Sequence, residues 1–223
     1  MEQPLLLLQT FGATCAVGLT FPDGTLDVLV EATPNSHATH LPVFMQNILE
    51  KHHLEAEELA GVAVLSGPGS YTGLRIGVAT AKGFCWGANL PLFAIPTFEA
   101  MAEAAKRHTE LSNAQYLCTI DARRMEIYAA LYGADGTPLM DTQPVILTEP
   151  PLPFSPLLSD ATLFVLGDGS TKTLPFLPDK NVSTLLFEHY LTGAAPLAWE
   201  KWKNKEGVSL AYFEPFYLKA WGK

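Results

Sequence analysis

The chain has 223 residues, with 23 Asp and Glu against 14 Lys and Arg, for a formal charge of −9. Its 48% hydrophobic content supplies one ordinary core or two small ones and excludes wholesale disorder. The charge is uneven: residues 1–60 hold eight acids and one base, and only Lys201, Lys203 and Lys205, interleaved with Trp202, approach the basic stripe that gripping nucleic acid requires. On a tail, three lysines form a solvated face more often than an RNA contact.

In chain order, Leu5–Leu8 is a continuous apolar run of four, too short for a signal core or a membrane span. Cys15–Leu19 and Leu26–Val30 follow, separated by turns at Phe11-Gly12 and Pro22-Asp23-Gly24, which together predict a three-stranded meander. From Thr39 to His53 the pattern becomes helical, with Leu41, Met45, Ile48 and Leu49 on one stripe, Thr39 as cap and Pro42 in the first turn. Gly61–Leu65 reads as a strand that runs into Ser66-Gly67-Pro68-Gly69-Ser70-Tyr71-Thr72-Gly73-Leu74-Arg75-Ile76-Gly77.

The spacing of that segment fits neither a dinucleotide fingerprint nor a P-loop, and it lacks the G-x-S-x-G of a hydrolase nucleophile. A glycine-rich turn opening a helix remains, and either an anion site or a tight structural turn accounts for it. The helix, predicted over Thr72–Ala88, contains Gly73, Gly77, Gly83 and Gly87, each costing about 1 kcal/mol relative to Ala. At 100° per residue Gly73, Gly77, Thr80, Ala81, Phe84 and Ala88 share a stripe that admits another helix closely. The partner is either the Leu41–Leu49 helix of the same chain or a surface on another subunit.

Further on come a strand at Leu92–Ile95, a helix over Thr97–His108, strands at Tyr116–Ile120 and Met125–Tyr132, a hairpin at Asp135-Gly136, and a return strand at Pro144–Leu147. The four prolines of 149–156 make a connector. Leu163–Leu166 ends at Gly167-Asp168-Gly169, and residues 206–221 form an apolar and aromatic tail. Two lobes follow, 1–108 and 109–223, with shared strands-then-helix grammar and a tail from 206 free to pack on the first lobe. Cys15, Cys85 and Cys118, far apart and without a C-x-x-C pair, read as reduced thiols of a cytoplasmic protein.

Ser66–Gly77, Pro96–Ala102, Asp121-Ala122-Arg123-Arg124-Met125-Glu126-Ile127-Tyr128, Gly167–Gly169 and Glu214–Lys219 together resemble the bacterial TsaB (YeaZ) family, in order and across nearly the whole chain. The resemblance implies an α/β, actin/Hsp70/sugar-kinase-like fold of two related lobes. It further implies a non-catalytic role in making threonylcarbamoyladenosine at position 37 of tRNA, as partner of a TsaD-like catalytic subunit and a TsaE-like ATPase, with tRNA reached only indirectly. The family's first turn carries Asp where this chain has Gln9, followed by Phe11 in place of a small hydroxyl residue. Arg123 stands in the second turn where Gly would admit a phosphate. A neutral amide cannot supply the anionic oxygen that Mg²⁺ prefers.

No catalytic set, metal or cofactor is therefore expected: His37 and His40 are spaced H-x-x-H with no third ligand evident, and His52-His53 are adjacent. The expected partner-binding residues are Leu41, Met45, Ile48, Gly73, Arg75, Gly77, Thr80, Ala81, Phe84 and Ala88, with Gly67, Pro68, Gly69, Ser70 and Thr72 forming the family turn and Arg75 ordering it. An ATPase or glycoprotease-like metalloenzyme is the alternative, and a homodimer through the same helices competes with the heteromeric pair.

Overall fold

A computed structural model describes residues 3–32, 37–178 and 181–219. The chain divides into two compact units, Met1–Ala100 with Glu188–Tyr217, and Met101–Phe187 with the last residues from Leu218.

The first unit is built on β1 (Leu5–Gln9), β2 (Cys15–Thr20), β3 (Leu26–Glu31), β4 (Gly61–Leu65) and β5 (Leu92–Ile95), in sheet order β3-β2-β1-β4-β5. The expected meander is there: β1 pairs antiparallel with β2, and β2 with β3. On its other edge β1 runs parallel to β4 and β4 to β5, which requires crossovers. These are α1 (His37–Lys51) and α2 (Tyr71–Ala88), and α3 (Thr97–Thr109) follows β5. Leu6, Leu8, Val17, Val62 and Val64 pack with Leu41, Ile48, Val78 and Ala81 of the two crossover helices. β1 is buried at every position because its other face is covered too, by α5 (Leu191–Asn204). A Cβ on Gly18, the register partner of Leu7, would stand 3.0 Å from Leu191 of that helix.

The second unit repeats the strand plan. β6 (Ala114–Asp121), β7 (Glu126–Gly133) and β8 (Pro138–Ile146) form an antiparallel meander, and β9 (Thr162–Leu166) and β10 (Val182–Leu185) continue parallel from β6, giving β10-β9-β6-β7-β8. Its crossovers differ. Between β8 and β9 the proline-rich connector makes only a 3₁₀ turn at Ser155–Leu157, and Leu147, Leu152 and Phe154 supply the apolar cover. Between β9 and β10 stands α4 (Ser170–Thr173), a single helical turn.

Three sequence expectations are revised. α1 begins at His37, so Thr39 lies inside the helix and Pro42 in its second turn, where the missing N–H costs one helical bond. β8 is a nine-residue strand rather than the short return expected. Residues 188–205, expected with the second lobe, lie with the first because α5 packs on β1 and β5. The tail follows: the Val208 N–H donates to the Leu92 carbonyl at 2.8 Å, Lys82 Nζ to the Phe213 carbonyl at 2.9 Å, and the Phe216 N–H to the Ser66 carbonyl at 2.8 Å. Among the described residues no helix is long and apolar enough to cross a membrane.

Candidate partner-binding surface and strand-end turns

The glycine-rich turn after β4 and the start of α2 are packed against the β1–β2 turn. Thr10 is fully buried, and its hydroxyl donates to the Gly73 carbonyl at 2.7 Å. A Cβ on Gly73 would overlap the Thr10 carbonyl oxygen, and one on Gly77 the Thr10 hydroxyl. A Cβ on Gly69 would lie 2.6 Å from the Phe11 carbonyl oxygen. Three of the motif's glycines are thus explained by the close approach of the turn and α2 backbone to Thr10 and Phe11 within one unit.

The turn's donors are also largely committed. The Gly67 N–H donates to Thr97 Oγ1 at 3.1 Å, the Ser70 N–H to the Phe11 carbonyl at 2.6 Å, and the Gly73 N–H to Ser70 Oγ at 3.2 Å. Ser70 is the N-cap of α2. The arrangement favours the structural reading of the motif over an anion cradle.

Gln9 is 2% exposed, and its Oε1 accepts the Tyr190 N–H at 2.8 Å, at the N-terminal boundary of α5. The Phe11 and Tyr190 rings lie 5.9 Å apart. His189 Nδ1 accepts the Leu191 N–H at 3.2 Å. The end of β1, where the resemblance places a metal-proximal carboxylate, is here a neutral amide that caps a helix of the same unit.

In the second unit the corresponding strand end is Asp121. Its Oδ1 accepts the Arg123 N–H at 2.6 Å and pairs with Lys172 of α4. Burial works to raise the Asp121 pKa, but hydrogen bonds from Lys172 and the Arg123 backbone hold it below the ordinary carboxylate value. Arg123 has φ +70° and Arg124 φ +51°, the left-handed region that glycine fills without strain. Among the described residues no three His, Cys, Asp or Glu side chains converge as a metal site. His37 Nε2 lies 2.8 Å from the Gly12 carbonyl, the His40 ring stacks on Phe44, and His52 pairs with Asp27.

The structure divides the expected partner-binding residues. Leu41, Met45, Ile48, Gly73, Gly77 and Ala81 are buried in the first unit's own core. Thr80, Phe84 and Ala88 are half-buried, and Arg75 is exposed. Within the turn motif Gly67 and Pro68 are buried, Gly69 is half-buried, and Ser70 and Thr72 are exposed. The Arg75 guanidinium sits 4.0 Å from the Tyr71 ring centroid, and its Nε donates to the Tyr217 hydroxyl at 3.4 Å, tying the start of α2 to the tail.

Sequence reasoning missed Ala79, Gly83 and Trp86, which are exposed with Thr72 and Arg75 on the opposite side of α2. Trp86 is 80% exposed, and Cβ atoms on Gly83 or Gly87 would have nothing within 4 Å among the described residues. The signal was available: at 100° per residue Ala79, Gly83 and Trp86 share a stripe turned away from Gly73 and Gly77. Beside this face a groove of about 850 Å³ runs between α1 and α2, lined in part by Pro42, Met45, Leu49, His53, Thr80 and Phe84.

Two five-stranded sheets of the same order and sense, with helical crossovers in the first, define the actin/Hsp70/sugar-kinase-like class. An activator of 2-hydroxyisocaproyl-CoA dehydratase from Clostridium difficile shares the fold, with a TM-score of 0.55 at 7% identity over 92% of this chain and 97% of that one. Residues 28–146, more than half of the chain, match the family model described as TsaD, tRNA N6-adenosine threonylcarbamoyltransferase. The chain is 28% identical to the tRNA threonylcarbamoyladenosine biosynthesis protein TsaB of Escherichia coli (strain K12), over 98% of this chain and 97% of that protein. YeaZ from Pseudomonas aeruginosa superposes with a TM-score of 0.80 at 23% identity, covering 97% of this chain and all of that one. The chain belongs to this threonylcarbamoyltransferase family, within its TsaB/YeaZ group.

Proposed function

We propose that the chain is a non-catalytic subunit in the synthesis of tRNA threonylcarbamoyladenosine, engaging a TsaD-like catalytic subunit through the outward face of α2 and the adjoining α1–α2 groove. One observation carries this reading: α2 keeps two glycines that nothing among the described residues packs against, next to a tryptophan 80% exposed. Each such glycine costs a helix about 1 kcal/mol, and a close-packed partner helix offsets that cost. Val43 of α1, 45% exposed, extends the apolar surface.

The strand-end turns support the non-catalytic part. Gln9 caps α5, and Lys172 already neutralises Asp121. A TsaE-like ATPase joins the catalytic subunit in this scheme, and the chain reaches tRNA in company with its partner, in the cytoplasm. A second copy of the chain competes for the same face.

The test is co-purification with a TsaD-like subunit. Gly83→Glu and Trp86→Asp, both on exposed helix surface, are expected to abolish it while thermal unfolding stays within a degree or two of the parent. Retained binding by both variants overturns the assignment of this face. The metalloenzyme or ATPase alternative is tested by calorimetry with ATP and Mg²⁺ or Zn²⁺, where micromolar binding to the isolated chain would contradict the role given to Gln9.

A further inference from the structure

The turn between β6 and β7 presents two exposed arginines that form no ion pair among the described residues. Arg123 and Arg124 are both exposed and consecutive, on left-handed backbone. The turn is held from several sides. The Ala122 N–H donates to the Glu126 carbonyl at 3.1 Å, the Glu126 N–H to the Arg123 carbonyl at 3.2 Å, and the Leu147 N–H to the Met125 carbonyl at 2.8 Å.

The two carboxylates beside the arginines in sequence are taken by other cations. Lys172 pairs with Asp121, and Lys219 Nζ donates to Glu126 Oε2 at 2.6 Å. Asp168 accepts the Asp121 backbone N–H at 2.9 Å. Neither guanidinium has an ion pair or side-chain hydrogen bond among the described residues. Arg123 adds to the field that lowers the Asp121 pKa but forms no ion pair with it. The cluster instead gathers four cations around three carboxylates on a chain of net charge −9, so this turn is a local positive site. Met125 and Ile146, 41% and 43% exposed, add apolar surface beside it.

We propose that Arg123 and Arg124 contact backbone phosphodiesters of the tRNA when the chain is assembled with its catalytic partner. Arginine's planar fork suits phosphate oxygens, and the guanidinium carries less desolvation cost than an ammonium. The inference rests on the function proposed above, and it modifies the view that tRNA is reached only through the partner. The overall negative charge limits binding by the isolated chain, whereas two placed arginines add affinity once the partner supplies the rest.

The experiment measures binding of an unmodified tRNA transcript to the assembled complex across a salt series, with the parent chain, an Arg123→Ala/Arg124→Ala chain and an Arg123→Lys/Arg124→Lys chain. Each lost phosphate contact lowers the slope of log affinity against log salt by about 0.7 to 0.9. The double alanine chain is expected to show a slope shallower by about 1.5, so that its loss of affinity between 50 and 200 mM salt is about eightfold smaller than the parent's. The double lysine chain is expected to keep the parent slope.

Size-exclusion chromatography of each variant with the catalytic subunit, together with thermal unfolding, separates the causes. An unchanged slope in a complex that forms and modifies tRNA overturns the phosphate contact and leaves the proposed function standing. Weakened assembly with an unchanged slope assigns the arginines to the protein partner and also overturns it. If the parent chain forms no complex, both proposals fall.

Discussion

The two sheets share strand order and sense but not their crossovers. In the first unit the chain returns to β4 and β5 through helices of 15 and 18 residues, whereas in the second the equivalent connections are a proline-rich loop and a four-residue helix. One strand plan is thus finished in two ways. The first unit acquires a broad helical face, and the second exposes the turn at the end of its first strand. The lesson is that the sheet fixes where a strand ends, and the crossover decides whether that place becomes a packed junction or an accessible turn. Thr10 is buried beneath α2, while Arg123 and Arg124 stand open at the corresponding place.

The sharpest way to break this comparison is to force the packed junction apart. Gly77→Leu places a branched side chain where even a Cβ overlaps Thr10, and we expect a loss of about 3 kcal/mol or more in urea unfolding. The substitution therefore does not isolate partner binding. A stability loss below about 1 kcal/mol would mean that α2 moves outward freely and that the contact with Thr10 does not govern the unit.

Much of this architecture is legible in the residues themselves. Apolar runs broken by Gly and Pro give the first meander, and the helical period of Leu41, Met45, Ile48 and Leu49 gives α1. The side of α2 that faces inward is legible as well, because Gly73, Gly77 and Ala81 align. Which neighbour that stripe meets is not, since a small-residue groove fits a β-turn as well as a helix. Here the close contact is with Thr10, a residue 63 positions away from Gly73 in sequence. α5 escapes a periodicity reading because Gly193, Ala194, Ala195, Pro196 and Ala198 give it little polar contrast, and its docking on β1 is a long-range choice. β10 is four half-exposed or exposed residues that become a strand only by pairing with β9. The role of Gln9 was readable only in part. Its neutrality excludes a strong metal ligand, but the amide's bond to Tyr190 depends on the fold bringing together residues 181 positions apart.

A smaller effect separates the two sides of α2. Gly83→Ala, with open space around the new methyl group, is expected to stabilise the isolated chain by about 0.5 to 1 kcal/mol through helix propensity. Gly77→Ala is expected to destabilise it. The same Gly83→Ala substitution should weaken co-purification with the catalytic subunit, because a methyl group intrudes where a partner helix approaches. Improved stability with unchanged assembly would show that Gly83 is not at the contact.

The smallest expected effect concerns the junction of β1 with α5 and depends on pH. Burial holds the His189 pKa below its ordinary value of 6.5, against the opposing pull of Glu188. Nδ1 needs its lone pair to accept the Leu191 N–H. The unfolded chain therefore takes up a proton before the folded chain does as the pH falls below 6.5. Stability falls across that window and levels off below the folded-state value. His189→Asn retains an acceptor for the helix start and removes the titration. Thermal midpoints near about pH 7.5 and about pH 5.5 should thus differ less for the variant than for the parent. Equal pH dependence would mean that the helix start is held by the Gln9 bond to Tyr190 alone, making the amide that replaces a carboxylate the sole clamp on α5.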